Sequence, residues 1–302
     1  MAISTALLTL ASLGTLQLPI EDAGLGANHP AEALAAAESL APKPGRTAAT
    51  SGRSGDFLWA VAVRSLPASG GPLAKAAAVR TVHARVAAEL LAGETLARAF
   101  AAENLTDRAA LRSAALSVSG RIETTGFARE TLHQTTVQDD RVVGLITADA
   151  DAVLAAVRRP PVLPLMRTAY GEALARWLAA AADAGEWEKG LRIRDHLRTL
   201  DLSGPGAEVD AVRCLLAAGR IDDALAAGRM LLGRVDADSA SLERLGDALL
   251  ADKQPDADDL AGEAFTLASE RLQTTRTDGR PHPEPPAVRI LSSSPVDENS
   301  RP

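Results

Sequence analysis

The sequence predicts an α-rich, α+β protein: a small strand-helix-helix-hairpin domain followed by an array of helical hairpins. Three observations predict it. Hydrophobic residues make up 46% of the 302 while aromatics make up 3%, with alanine supplying much of the difference. Alanine has the highest helix propensity and offers a strand little side chain to pack, so helices dominate. In the C-terminal half, Gly185-Glu186-Trp187-Glu188-Lys189-Gly190-Leu191 returns thirty-four residues on as Gly219-Arg220-Ile221-Asp222-Asp223-Ala224-Leu225. That offset is the period of a stacked helical hairpin. In the N-terminal half, strand-like runs at Phe57 to Leu66 and Val142 to Thr147 flank helical patterns.

The chain opens on Ala6 to Leu16, an apolar run of signal-peptide core length and too short to span a bilayer. No Lys or Arg precedes it and no clean small-x-small cleavage site follows before Asp22-Ala23-Gly24. Residues 1–23 are accordingly a candidate signal peptide, with a surface-docked leader as the alternative; without a lipobox cysteine, no lipid anchor is expected. Residues 24–55 hold Pro30, Pro42, Pro44 and a small polar run from Thr47 to Ser54. Such a stretch buries too little apolar surface to offset its ordering entropy, so it reads as a disordered linker with a short helix at Ala31 to Leu40. The tail, 273–302, holds Pro281, Pro283, Pro285, Pro286 and Pro295 among polar residues and is also expected to be disordered.

The first folded unit is expected over 56–157. Phe57 to Leu66 is a strand closed by Pro67 and the Gly70-Gly71-Pro72 turn. Leu73 to Leu91 is a helix, with Val79, Val82, Val86 and Leu90 at helical spacing. Asp107 to Ser119 is a second helix, capped by Thr106 or Asp107. Gly126 to Val137, the turn Gln138 to Arg141, and Val142 to Thr147 form a hairpin, with Val143 and Leu145 the preferred inward set. This order and the strand Trp59-Ala60-Val61-Ala62-Val63 resemble the twenty-kilodalton envelope lipoprotein family and the N-terminal domain of the flagellar outer-ring protein FlgT. The resemblance implies an exported, non-catalytic protein of the cell envelope; the missing lipobox departs from the lipoprotein branch.

The second unit, 164–272, is expected to be helical throughout. Leu242, Leu245, Gly246 and Leu249 occupy the first-helix packing positions of a hairpin. Ala261, Phe265 and Ala268 give the small-large-small pattern of the second, with about three residues inserted near Lys253 to Asp259. These residues resemble the tetratricopeptide repeat family. Gly190 and Ala224 fill the small site of the earlier repeats, while Leu178 and Val212 depart from the pattern, standing where glycine is usual. A generic Ala-rich helical bundle is the alternative.

Motifs for chemistry are sparse. The net charge is −7 without a Lys/Arg block, which disfavours nucleic acid and acidic lipid as partners. Cys214 is the single cysteine and reads as a small buried apolar residue. Ser69 to Lys75 lacks the G-K-[ST] ending of a phosphate loop and reads as a helix-start turn with Pro72 at the first position. Asp149 and Asp151 are better explained as caps of the following helix than as cation ligands. His83 and His133, with Glu89 and Glu130 in the same unit, have no spacing that fixes an acid-base pair. Neither a cofactor nor a metal is expected.

These residues point to a non-enzymatic scaffold of the periplasm or cell envelope that binds a protein or peptide through a repeat groove. The alternatives are a cytoplasmic tetratricopeptide adaptor and an enzyme or metal-binding protein using the α+β unit. The candidate partner-binding residues are Trp177, Trp187, Arg194 and Arg229. Core packing is the first expectation for both tryptophans; one that faces the groove becomes a peptide anchor.

Overall fold

The protein is described by a computed structural model covering residues 29–67, 71–123, 131–138, 140–158, 160–251 and 255–277. The candidate signal peptide lies outside the described residues, as does the tail beyond Thr277. The element order is α1 (Ala31–Ser39), β1 (Thr47–Ser54), β2 (Phe57–Ser65), α2 (Pro72–Leu91), α3 (Glu94–Ala101), α4 (Arg108–Glu123), β3 (Thr131–Gln138) and β4 (Arg141–Asp149). There follow α5 (Ala150–Arg158), α6 (Val162–Asp183), α7 (Trp187–Thr199), α8 (Pro205–Ala217), α9 (Ile221–Leu232), α10 (Ser239–Leu250) and α11 (Pro255–Thr277). An α-rich protein with one small antiparallel sheet results, as the composition predicts.

The sheet order is β1-β2-β4-β3, with every neighbouring pair antiparallel. Alternation along β2 sends Leu58, Ala60 and Ala62 to one face and Trp59, Val61 and Val63 to the other. On β4, Val142, Ile146 and Ala148 join the first set and Val143 and Leu145 the second. Both faces are dry. Val142, Val143 and Leu145 are each 0% exposed and Ile146 is 4% exposed, so neither set is the outward one. Helix α2 covers the first face, and α1, through Ala33 and Ala37, covers the second. A strand residue such as Val61 therefore gains the full burial term, about 1.5–3 kcal/mol, on either side.

The second face exposes an error in the linker expectation. Within 24–55 the described residues form α1 and the edge strand β1, and they are ordered by tertiary contact. Thr47–Ser54 pairs along its whole length with β2. His29 Nδ1 lies 2.7 Å from Thr147 Oγ1 and its Nε2 lies 3.2 Å from Gln134 Oε1. The neutral ring protonated at Nε2 satisfies both contacts. Burial pushes its pKa below the ordinary value, against the opposing pull of Gln134.

Local signals explain the remaining starts. Pro72 opens α2 at a position whose N–H has no helical partner. Asp107 Oδ1 accepts from the Ala109 and Ala110 N–H groups at 2.9 and 2.8 Å, capping α4. Asp149 Oδ1 accepts from Ala152 N–H at 2.8 Å, and Asp151 lies in the first turn of α5, where the helix dipole favours a carboxylate.

The two expected units share one core. A single apolar cluster runs from Ala60 through Val86 and Leu111 to Tyr170, Val212 and Leu245. Helix α4 packs on both α2 and α6, and Tyr170, fully buried on α6, ties the halves together. Its Oη accepts from Asp107 N–H at 2.8 Å and lies 2.8 Å from His196 Nε2 on α7. The expected boundaries also shift: helix α6 begins at Val162, and α11 runs five residues into the expected tail, to Thr277.

Candidate partner-binding surface

Helices α6/α7, α8/α9 and α10/α11 form three hairpins. Helix α8 is central, packed on α6, α7, α9 and α10, while α9 also meets α11. The first two corners share one geometry. Gly185 and Gly219 have φ of +72° and +70°, a region that only glycine occupies without steric cost. The next N–H reaches back in each: Glu186 to Ala181 O at 2.8 Å and Arg220 to Leu215 O at 2.9 Å. Gly190 then sits where a Cβ would stand 2.5 Å from Cys214 Sγ, so α7 and α8 approach closely only because that side chain is absent. Ala224 and Ala261, the corresponding small residues, are both 0% exposed.

Two carboxylates on α8 organise the stack. Asp210 Oδ1 accepts from Arg213 Nη1 at 3.2 Å and from Arg244 Nη2, on α10, at 2.6 Å; Arg213 Nη2 also reaches Asp183 at 2.8 Å. Glu208 accepts from Arg198 Nε at 3.1 Å and Nη2 at 2.6 Å, and from Ser203 Oγ at 2.5 Å. Burial pushes the Glu208 carboxyl up, but the bonds from Arg198 and Ser203, together with the nearby charges of Arg198 and Arg234, hold it below its ordinary value. Arg234 Nη1 donates to Ser203 O at 3.0 Å, and Arg271 donates to Arg234 O and Val235 O at 3.0 and 2.6 Å. Guanidinium groups thus fasten the loops between hairpins. These loops border a cleft of about 350 Å³ with Met230, 68% exposed, on its rim and Ala227 and Leu231 in its wall.

The four residues expected to bind a partner do not converge. Trp177 is half-buried on α6 against the core. Trp187 begins α7 and is 37% exposed, contrary to the core role first expected of it. Arg194, two turns on, donates Nε and Nη2 to Asp195 Oδ1 at 2.9 and 2.6 Å. Arg229 is exposed on α9, which packs mainly on α8 and α11. Only Trp187 and Arg194 share a helix. Sequence reasoning missed Met230, Val235 and the Glu208 cluster. The 34-residue separation of Asp210 and Arg244 was the signal available for the network around them.

Carboxylates recur in the first turns of the second helices: Glu188 on α7, Asp222 and Asp223 on α9, and Asp256 and Asp258 on α11, all exposed. Cys214 is buried, and that burial, reinforced by Asp210, pushes its thiol pKa up, away from the thiolate a nucleophile needs. Among the described residues, no three His, Cys, Asp or Glu side chains gather as metal ligands, and no helix is long and apolar enough to cross a membrane. The His133 and Glu130 side chains lie outside the described residues. Comparison with protein-family models, curated proteins and solved structures yields no match.

Proposed function

We propose that this chain is a non-enzymatic, tetratricopeptide-like scaffold that holds a protein or peptide partner on its helical hairpins. The observation that carries the reading is the repeated corner. Gly185 and Gly219 adopt the same left-handed turn, and each is followed by a buried small residue at the close crossing, Gly190 or Ala224. Stacked hairpins present an extended surface suited to a peptide segment or helix bound through side-chain pockets. The exposed first-turn carboxylates favour a basic or neutral partner, so association weakens as salt rises. The apolar run Ala6 to Leu16 and the envelope-protein resemblance of the first unit support placement in the periplasm or cell envelope.

The experiment is affinity measurement of candidate envelope proteins with the full chain, at low and high ionic strength, beside Trp187→Ala and the charge reversal Asp222→Lys. Binding that falls with salt and with either substitution supports the stack as the site. Binding indifferent to both moves the partner elsewhere on the molecule. N-terminal sequencing of the mature protein tests the compartment: an intact Met1 favours the cytoplasmic alternative.

A further inference from the structure

Strand β1 ends the sheet, and nothing among the described residues pairs with its outer side. It joins β2 through Gly55 and Asp56, with Gly55 at φ +59° and Ser54 opposite Phe57. In a two-residue hairpin the closing pair exchanges both ladder bonds, and every second residue counted from it turns its N–H and C=O outward. The outward set is Thr47, Ala49, Ser51 and Arg53. Among the described residues, no hydrogen bond engages their backbone groups.

Natural sheet edges are blunted by proline, lysine, bulges or short length, because an open edge is a template for another strand. β1 uses none of these devices. It is eight residues long and in unbroken register, without proline. Its one cation, Arg53, bends its Nε to Gly55 O at 2.9 Å. From Thr47 to Gly52 every side chain is small, so a second strand meets no steric guard.

A cavity of about 280 Å³ adjoins this edge where α2 meets α3. Ser51 and Arg53 form its β1 side, Leu58 its floor, and Leu90, Thr95 and Leu96 its helical wall. An added strand sends alternate side chains to this side of the sheet, where one of them meets the cavity. Arg98 pairs with Glu94 at the rim, which leaves Arg53 as the uncompensated charge there.

We propose that β1 is a strand-addition site for an extended segment of a partner protein, with an apolar side chain in this cavity and an acidic residue near Arg53. Backbone bonds to Ala49, Ser51 and Arg53 supply the affinity, and the cavity supplies the selectivity. The site belongs to the α+β unit and stands apart from the helical stack, so it adds a second mode of binding.

The test pans a random-peptide display library against the full chain and titrates the recovered peptide, fluorescently labelled, against variants. Ser51→Pro removes an outward N–H without taking a bond from the β1-β2 ladder; Thr95→Phe fills the cavity and leaves the edge open. The expected result is a peptide with alternating apolar residues whose binding weakens about tenfold or more in each variant, and is unchanged in Trp187→Ala. If Ser51→Pro does not fold, Thr95→Phe and peptide-induced slowing of amide exchange at Ala49, Ser51 and Arg53 decide the matter. Recovery of no peptide, or of one indifferent to Thr95→Phe and without protection at those amides, overturns the proposal. So does a concentration-dependent dimer abolished by Ser51→Pro, which assigns the edge to a second copy of the chain.

Discussion

Arg244 Nη2, on α10, donates to Asp210 Oδ1, on α8, across 2.6 Å, joining residues 34 apart in the chain. The Asp210 side chain is 5% exposed, whereas those of its partners Arg213 and Arg244 are 35% and 48% exposed. The carboxylate is therefore the desolvated member, and the guanidinium groups regain water when it is removed. Arg244→Ala is expected to cost about 1–2 kcal/mol, because it leaves the buried carboxylate with Arg213 alone, and Asp210→Ala less, about 0.5–1 kcal/mol. Denaturant unfolding of both variants checks the order.

The close crossings give a second expectation. Gly190→Ala places a methyl against Cys214 Sγ, and Ala224→Leu overfills a site that is 0% exposed. Each is expected to cost about 1–3 kcal/mol. In a Cys214→Ala background the Gly190→Ala penalty shrinks, because the atom it meets is gone; additive double-mutant data contradict this packing.

Acid acts through His29. Its pKa in the fold lies below the ordinary 6.5, so the unfolded chain binds the proton first as pH falls. Its contribution is whole above pH 6.5 and is lost progressively below that value, as the unfolded ring charges and the buried one resists. His29→Gln removes this part of the pH dependence. Thermal unfolding from pH 7.5 to 5 in both proteins, with hydrogen exchange along α1, reads it; identical slopes contradict the assignment.

Tyr170 makes the halves of the chain interdependent. Tyr170→Phe leaves Asp107 N–H without its acceptor and His196 Nε2 without its partner, at an expected cost of about 1–2 kcal/mol. A fragment of residues 164–272 loses α4 and uncovers apolar core on α6, so it is expected to self-associate or unfold. Analytical ultracentrifugation of the fragment decides: a stable monomer means that the halves are separate.

The parts legible in the sequence were those set by local physics. Pro72, Asp107 and Asp149 mark helix starts, Gly185 and Gly219 mark corners, and the Phe57 to Ser65 run is a strand whatever surrounds it. The missed parts depend on distant partners. Thr47–Ser54 has a linker's composition and becomes a strand because β2 pairs with it along its length. The short α3 was not anticipated, and α1 reads as a helix without revealing that it covers a sheet face. The Glu208 cluster joins Arg198, Ser203 and Arg234 across two loops, and no local spacing announces it.

The central claim, a partner held on the helical hairpins, is tested most directly by photo-crosslinking in the full chain. A photoreactive residue replaces Trp187 or Arg229 on the stack, or Arg80 on the exposed face of α2, and each protein is irradiated with a purified candidate partner at low and high salt. The account predicts adducts from positions 187 and 229 that diminish at high salt, with none from position 80. Adducts confined to position 80, or equal yields from all three positions at both salt concentrations, contradict it.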